Sequence, residues 1–152
     1  MRNKFQKNLL SLATSILAST LLATSATAAT LPAKYLVGYV EGWQDNNSTV
    51  VQDAISNGYN VLVFSFASID DNQISFGTIT DSSIQNQINN TKAAGKTALI
   101  SVGGQNNTFN PSANTDFSKL GETIATFLQD HNLDGVDLDL ETIPAGVTSD
   151  QI

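Results

Sequence analysis

Three acidic residues, Asp137, Asp139 and Glu141, stand at alternate positions in the second half of the stretch LDGVDLDLE at 133–141. A carboxylic acid can hand a proton to a leaving oxygen, and a carboxylate beside it can hold positive charge as it develops. Residues at period two share one face of a strand, spaced by about 6.6 Å at a rise of about 3.3 Å per residue. The alternate residues Val136, Leu138 and Leu140 are apolar and read as the face turned to a core. A parallel strand covered on both sides is normally apolar throughout. Three carboxylates on one face therefore displace core packing, at a cost unless they share protons or find donors. Like charges this close oppose full ionisation of the set, which suits a group that must carry a proton near neutral pH. Two plainer readings compete. A solvated edge strand could carry the same acids, but the apolar alternate face and the helix before it favour an inner strand. A Ca²⁺ loop of the EF-hand type needs Asp-x-Asp-x-Asp-Gly and a late Glu, an order this stretch lacks. Asp134 has the opposite parity and reads as structural, at the strand entrance. Gly135 leaves room for close packing there.

The elements that must position these acids follow from hydrophobic period. Apolar, β-rich runs stand at 35–40, 61–69, 97–102 and 133–141. Between them lie three helical patterns. Ser48 can cap the first, in which Val50, Val51, Ala54 and Ile55 share a face, and Gly58 can end it. Asp81 can cap the second, with Ile84 and Ile88 on one face and Gly95 as its stop. Phe117, Leu120, Ile124, Phe127 and Leu128 recur at helical spacing over the third. Strands alternating with helices predict an α/β fold with a parallel sheet. A doubly wound open sheet and part of a (β/α)8 barrel both fit. The first strand runs into Glu41-Gly42-Trp43-Gln44 rather than a Gly-x-Gly-x-x-Gly phosphate cradle. In a barrel, the acids face the interior near the strand's C-terminal end, where barrel enzymes keep their chemistry.

Composition narrows the partners. Residues 1–28 have the layout of a cleaved signal peptide: Arg2, Lys4 and Lys7, an apolar run at 9–22, then Ala26-Thr27-Ala28. That predicts secretion, to the periplasm or the medium, and no membrane attachment after cleavage. Without those three cations, 4 basic residues face 14 acidic ones, net −10. Nucleic acid is excluded as a partner by that charge, while a neutral sugar is compatible with it. There is no cysteine, hence no disulfide framework and no thiolate chemistry.

The octapeptide Asp134-Gly135-Val136-Asp137-Leu138-Asp139-Leu140-Glu141 resembles the Asp-Gly-x-Asp-x-Asp-x-Glu signature of glycoside hydrolase family 18. Ser101-Val102-Gly103-Gly104 resembles the family's second signature, Ser-x-Gly-Gly at the end of strand 3. The runs VGYVEGW and VLVFSFASI are similar to the openings of bacterial chitinases, and the resemblance covers roughly residues 35–143. It implies a (β/α)8 TIM barrel, of which this chain holds the first four βα units in residues 29–152. It also implies a chitinase, hydrolysing chitin or another N-acetylglucosamine-containing oligosaccharide with no metal and no cofactor, and monomeric at full length. Alternatives within the resemblance are an endo-β-N-acetylglucosaminidase acting on N-glycans and a non-catalytic chitin-binding remnant.

The same resemblance assigns roles. Glu141 becomes the general acid and then the base, Asp139 orients the substrate's N-acetyl group, and Asp137 shares a proton with Asp139. Ser101, Gly103, Asp134 and Gly135 become structural parts of the motif. Tyr39, Trp43, Phe66 and Gly104 are the substrate-binding candidates, the aromatics by stacking on sugar rings, and Phe109 could line the cleft. His131 falls at a helix C-terminus, where its charge is favourable. A whole barrel needs about 250 residues and eight strands. Half of that is expected to be unstable and inactive alone.

Overall fold

The computed structural model describes residues 33–45, 47–106, 108–143 and 147–148. The proposed signal peptide at 1–28 lies outside them. Among the described residues no helix is long and apolar enough to cross a membrane.

Four parallel strands form the sheet: β1 (Val37–Glu41), β2 (Val61–Asp70), β4 (Thr97–Gly103) and β6 (Gly135–Asp139), in the order β1-β2-β4-β6. Helices α1 (Asn47–Ser56), α2 (Ile84–Ala93) and α3 (Phe117–Asp130) connect them. This is the α/β alternation expected from the apolar runs, and it covers part of a (β/α)8 barrel. Two short strands add to it. β3 (Gln73–Ser75) turns back antiparallel on the end of β2, and β5 (Phe109–Asn110) pairs parallel with the same end. Phe109 is thus a buried strand residue that packs in the core, and it does not line the cleft.

The core lies between the sheet and the helices. Val40, Leu62, Phe64, Ile100 and Val102 project from one sheet face onto Val51, Ile84, Ile88 and Leu120. Their opposite parity leaves the other face to the residues that concern chemistry. The starts of two helices differ from expectation. α1 begins at Asn47, so Ser48 lies within it and Val50 is exposed, off the shared face. The N-cap position of α2 is Ser83, and Asp81 Oδ1 accepts the Ser83 N–H at 2.8 Å just before the first turn. Asp116 caps α3, accepting from the N–H groups of Ser118 and Lys119.

The acidic strand is shorter than its sequence pattern. β6 ends at Asp139, leaving Glu141 exposed two residues beyond it. The reason is its neighbour: β4 is paired with β6 only as far as Gly103, opposite Asp139, and Gly104 then turns away at φ +69°.

Candidate active site

Strand register lines up Glu41, Ser65, Ser101 and Asp137 in one row across the helix-free face. Tyr39 stands in the row below. Two hydroxyls converge on one oxygen of Asp137: Ser101 Oγ donates to Oδ2 at 2.7 Å, and Tyr39 Oη donates to it at 3.2 Å. Ser101 is fully buried. The Tyr39 phenol is raised above its ordinary value, first by partial desolvation, then by the negative charge of Asp137 and the bond to it, and last by the charge of Asp139. Asp139 follows on the same face, and Glu141 lies at the exposed mouth. Ser65 Oγ, in the same row and buried, has no partner among the described residues. Glu41 and Ser65 escape sequence reasoning because only the pairing register reveals that they share a row with Asp137.

The glycines beside the acids are fixed by contact. A Cβ on Gly103, at φ +111°, would collide with the Asp139 carbonyl. That carbonyl accepts the Gly104 N–H at 2.8 Å. A Cβ on Gly104 would meet the Phe66 ring at 2.7 Å. Gly104 is buried beneath that ring, so its contact is with the aromatic side chain and with the acid strand. Asp134 ties the strand entrance from below. It pairs with Lys92 and accepts the Ala98 N–H at 2.9 Å, while its own N–H donates to the Ala98 carbonyl at 2.8 Å. Gly135 sits against Leu99, where a Cβ would come within 3.3 Å.

Trp43 and Phe66 stack with their rings nearly parallel and offset, centroids 6.1 Å apart and planes 9° from parallel. With Thr78, Gln105, Asn106 and Thr108 they line a cavity of about 350 Å³ at the C-terminal ends of the strands. Those four polar residues sit in loops whose spacing carries no signal, and sequence reasoning missed them. Tyr39 lies apart from this pair, with its hydroxyl committed to Asp137. His131 closes α3, bonded to Gln85 at 2.8 Å and packed on the rings of Phe76 and Phe127. It makes no contact with the acids. The arrangement provides an exposed acid that can carry a proton, carboxylates behind it that can balance positive charge, and an aromatic surface suited to a sugar ring.

Residues 35–151 match the model of a family described as glycosyl hydrolases family 18. The chain is 32% identical to Endochitinase 37 of Trichoderma harzianum, over 84% of this chain and 44% of that protein. Its fold is similar to that of a family GH18 chitinase from Chromobacterium violaceum, at 27% identity and a TM-score of 0.57, over 79% of this chain and 34% of that one. It is also similar to human YKL-39, described as a pseudo-chitinase with retained chitooligosaccharide binding properties, at 27% identity and a TM-score of 0.53, over 71% of this chain and 33% of that one. The chain therefore spans less than half the length of each of these relatives. The matched stretch takes in the acidic strand, the two glycines at the end of β4 and the stacked aromatic pair, and on that extent the chain belongs to glycosyl hydrolase family 18.

Proposed function

We propose that this chain carries the acid strand and part of the sugar-binding wall of a secreted chitinase, which cleaves β-1,4 bonds between N-acetylglucosamine units with retention. The observation that carries the reading is the pair of hydroxyls on Asp137 Oδ2. An oxygen that receives two donors is committed as an acceptor. The other oxygen of Asp137 remains to share a proton with Asp139, the next acid on the same face. Asp139 then holds the N–H of the substrate's acetamido group and turns the acetamido oxygen toward the anomeric carbon.

Glu141 protonates the glycosidic oxygen as that bond breaks. The acetamido oxygen forms the new bond to the anomeric carbon, giving a positively charged oxazolinium ion balanced by Asp139. Glu141, now a carboxylate, takes a proton from water, which opens the ring from the face the leaving group vacated. The substrate supplies its own nucleophile, so one strand can carry the acid machinery, outside the usual two-carboxylate scheme. Trp43 and Phe66 provide the apolar face on which a sugar ring stacks. A polypeptide joining residues 35–143 to the remaining barrel units of a family member tests this. It is expected to release fluorophore from a chitobioside and to lose that activity in Glu141→Gln. An unchanged rate in Glu141→Gln would remove Glu141 from the reaction.

A further inference from the structure

Trp43 is 43% exposed, yet its ring stays parallel to that of Phe66, in an offset stack. An exposed indole on a free turn would lose its pose, and a loosely held contact residue adds an ordering cost to binding. The backbone beneath Trp43 is accordingly held from several sides. Gly42 N–H donates to the Ser65 carbonyl at 2.8 Å, and the Gly42 carbonyl accepts the N–H groups of Thr80 and Asp81, both at 3.0 Å. Across the turn itself the Gln44 N–H donates to the Glu41 carbonyl at 3.0 Å and the exposed Gln44 amide donates to Glu41 Oε2 at 3.3 Å, and one buried side chain acts as well. Asn47, only 1% exposed, donates both hydrogens of its amide, to the Glu41 carbonyl at 3.0 Å and to the Gln44 carbonyl at 2.8 Å. Those two carbonyls flank Trp43 in the chain. On the far side, the Phe66 carbonyl is held by the Thr78 N–H and hydroxyl, and the ring rests on Gly104.

We propose that Asn47 is the positioning residue of the Trp43 sugar platform: its amide clamps the turn from Glu41 to Gln44 and so holds the indole over Phe66 in the pose that receives an N-acetylglucosamine ring. The sugar in this statement rests on the chitinase reading; the clamp does not. A purely structural Asn47 would anchor the start of α1 and leave Trp43 alone. Asn57 is a matched control, since its amide also donates to a carbonyl, that of Asp53, at the other end of α1.

Trp43 is the sole tryptophan of the chain, so its emission reports on the turn directly. The full chain is compared with Asn47→Asp, which keeps the volume, removes both N–H donors and sets a carboxylate beside Asp81, with Asn47→Ala, which removes the donors without adding charge, and with Asn57→Ala. Emission maximum, acrylamide quenching and the dissociation constant for chitotetraose are measured where circular dichroism shows the wild-type fold. The Asn47 variants are expected to shift emission to the red, quench more readily and bind about tenfold more weakly, the scale of a lost stacking contact. Asn57→Ala is expected to match the wild type. A folded Asn47→Asp with wild-type emission and affinity overturns the proposal. Should both Asn47 variants fail to fold, exchange of the Asn47 side-chain amide protons in the wild type decides: protection supports the clamp, and rapid exchange overturns it. A red shift in Asn47→Asp with the affinity for chitotetraose unchanged removes the sugar from the platform and leaves the clamp standing.

Discussion

Asp137 is the residue around which the site is organised, and its two donors are unequal. Ser101 is buried and bonds at 2.7 Å, whereas Tyr39 is more than half exposed and bonds at 3.2 Å. A hydrogen bond to a charged acceptor contributes roughly 1.5–3 kcal/mol, and the buried one takes the upper part of that range. Ser101→Ala is therefore expected to slow the turnover of the assembled barrel by about 10- to 100-fold with little change in KM, since in the proposed reaction Asp137 acts on the transition state rather than on ground-state binding. Equal losses in KM alone would place Ser101 in substrate binding. Tyr39 makes its own prediction through pH. Folding raises its pKa, so its contribution to stability is complete below the ordinary tyrosine value of about 10 and fades as pH climbs through the raised one. The part of the tyrosinate absorbance change that Tyr39→Phe deletes is expected to lie above the ordinary tyrosine value of about 10; a deleted part centred at or below that value would contradict it. The acids themselves were legible because carboxylates at period two in an otherwise apolar strand work against core packing, and so point to chemistry. The task of Tyr39 was not: from sequence it groups with Trp43 as a stacking ring, and only the approach of β1 to β6 across the face brings its hydroxyl onto Asp137.

Elements set where those residues stand, and two glycines show how differently the same residue can be used. Gly103 ends β4 at φ +111°, pressed against the carbonyl of Asp139. Gly121 lies in α3 with open space where a Cβ would go. Gly103→Ala is expected to cost roughly 2–4 kcal/mol, combining backbone strain with a displaced acid strand. Gly121→Ala is expected to stabilise the protein by about 0.5–1 kcal/mol, the gain of alanine over glycine inside a helix. Denaturant unfolding of the two variants should give opposite signs, and like signs would mean that the β4–β6 contact does not constrain Gly103. The four long strands and three helices were readable because their apolar periods run for many residues. β3 and β5 were not, because QIS and FN are too short to show a period and exist by pairing with the end of β2. The cap expected at Ser48 fails for a related reason: α1 starts where the buried amide of Asn47 finds the carbonyls of Glu41 and Gln44, a constraint that no local preference records. Glu141 falls outside β6 because strand length is set by the partner, and β4 stops at Gly103.

At the scale of the molecule, the described sheet has two outer strands, β1 and β6, and both carry apolar side chains in the open. Leu36, Val37 and Tyr39 are 48%, 37% and 57% exposed on one side, and Leu138 is 45% exposed on the other. Leu138 also borders an apolar groove with Phe117, Ile124 and Val136, of the kind a neighbouring helix fills in a barrel. Unpaired strand edges invite association with other chains. The acid face has the same need: Glu141 is exposed, and the general acid proposed for it works best where water is excluded. Residues 29–152 made alone are therefore expected to bind an apolar dye, to associate as concentration rises and to leave a fluorogenic chitobioside intact. The same residues joined to four further βα units are expected to lose the dye signal and gain the activity together, because the strands that cover β1 and β6 also close the wall opposite Glu141. Gain of one without the other would separate edge protection from catalysis. Hydrolysis by residues 29–152 alone, lost in Glu141→Gln, would show that a row of acids, two hydroxyls and a stacked aromatic pair suffice without the rest of the barrel.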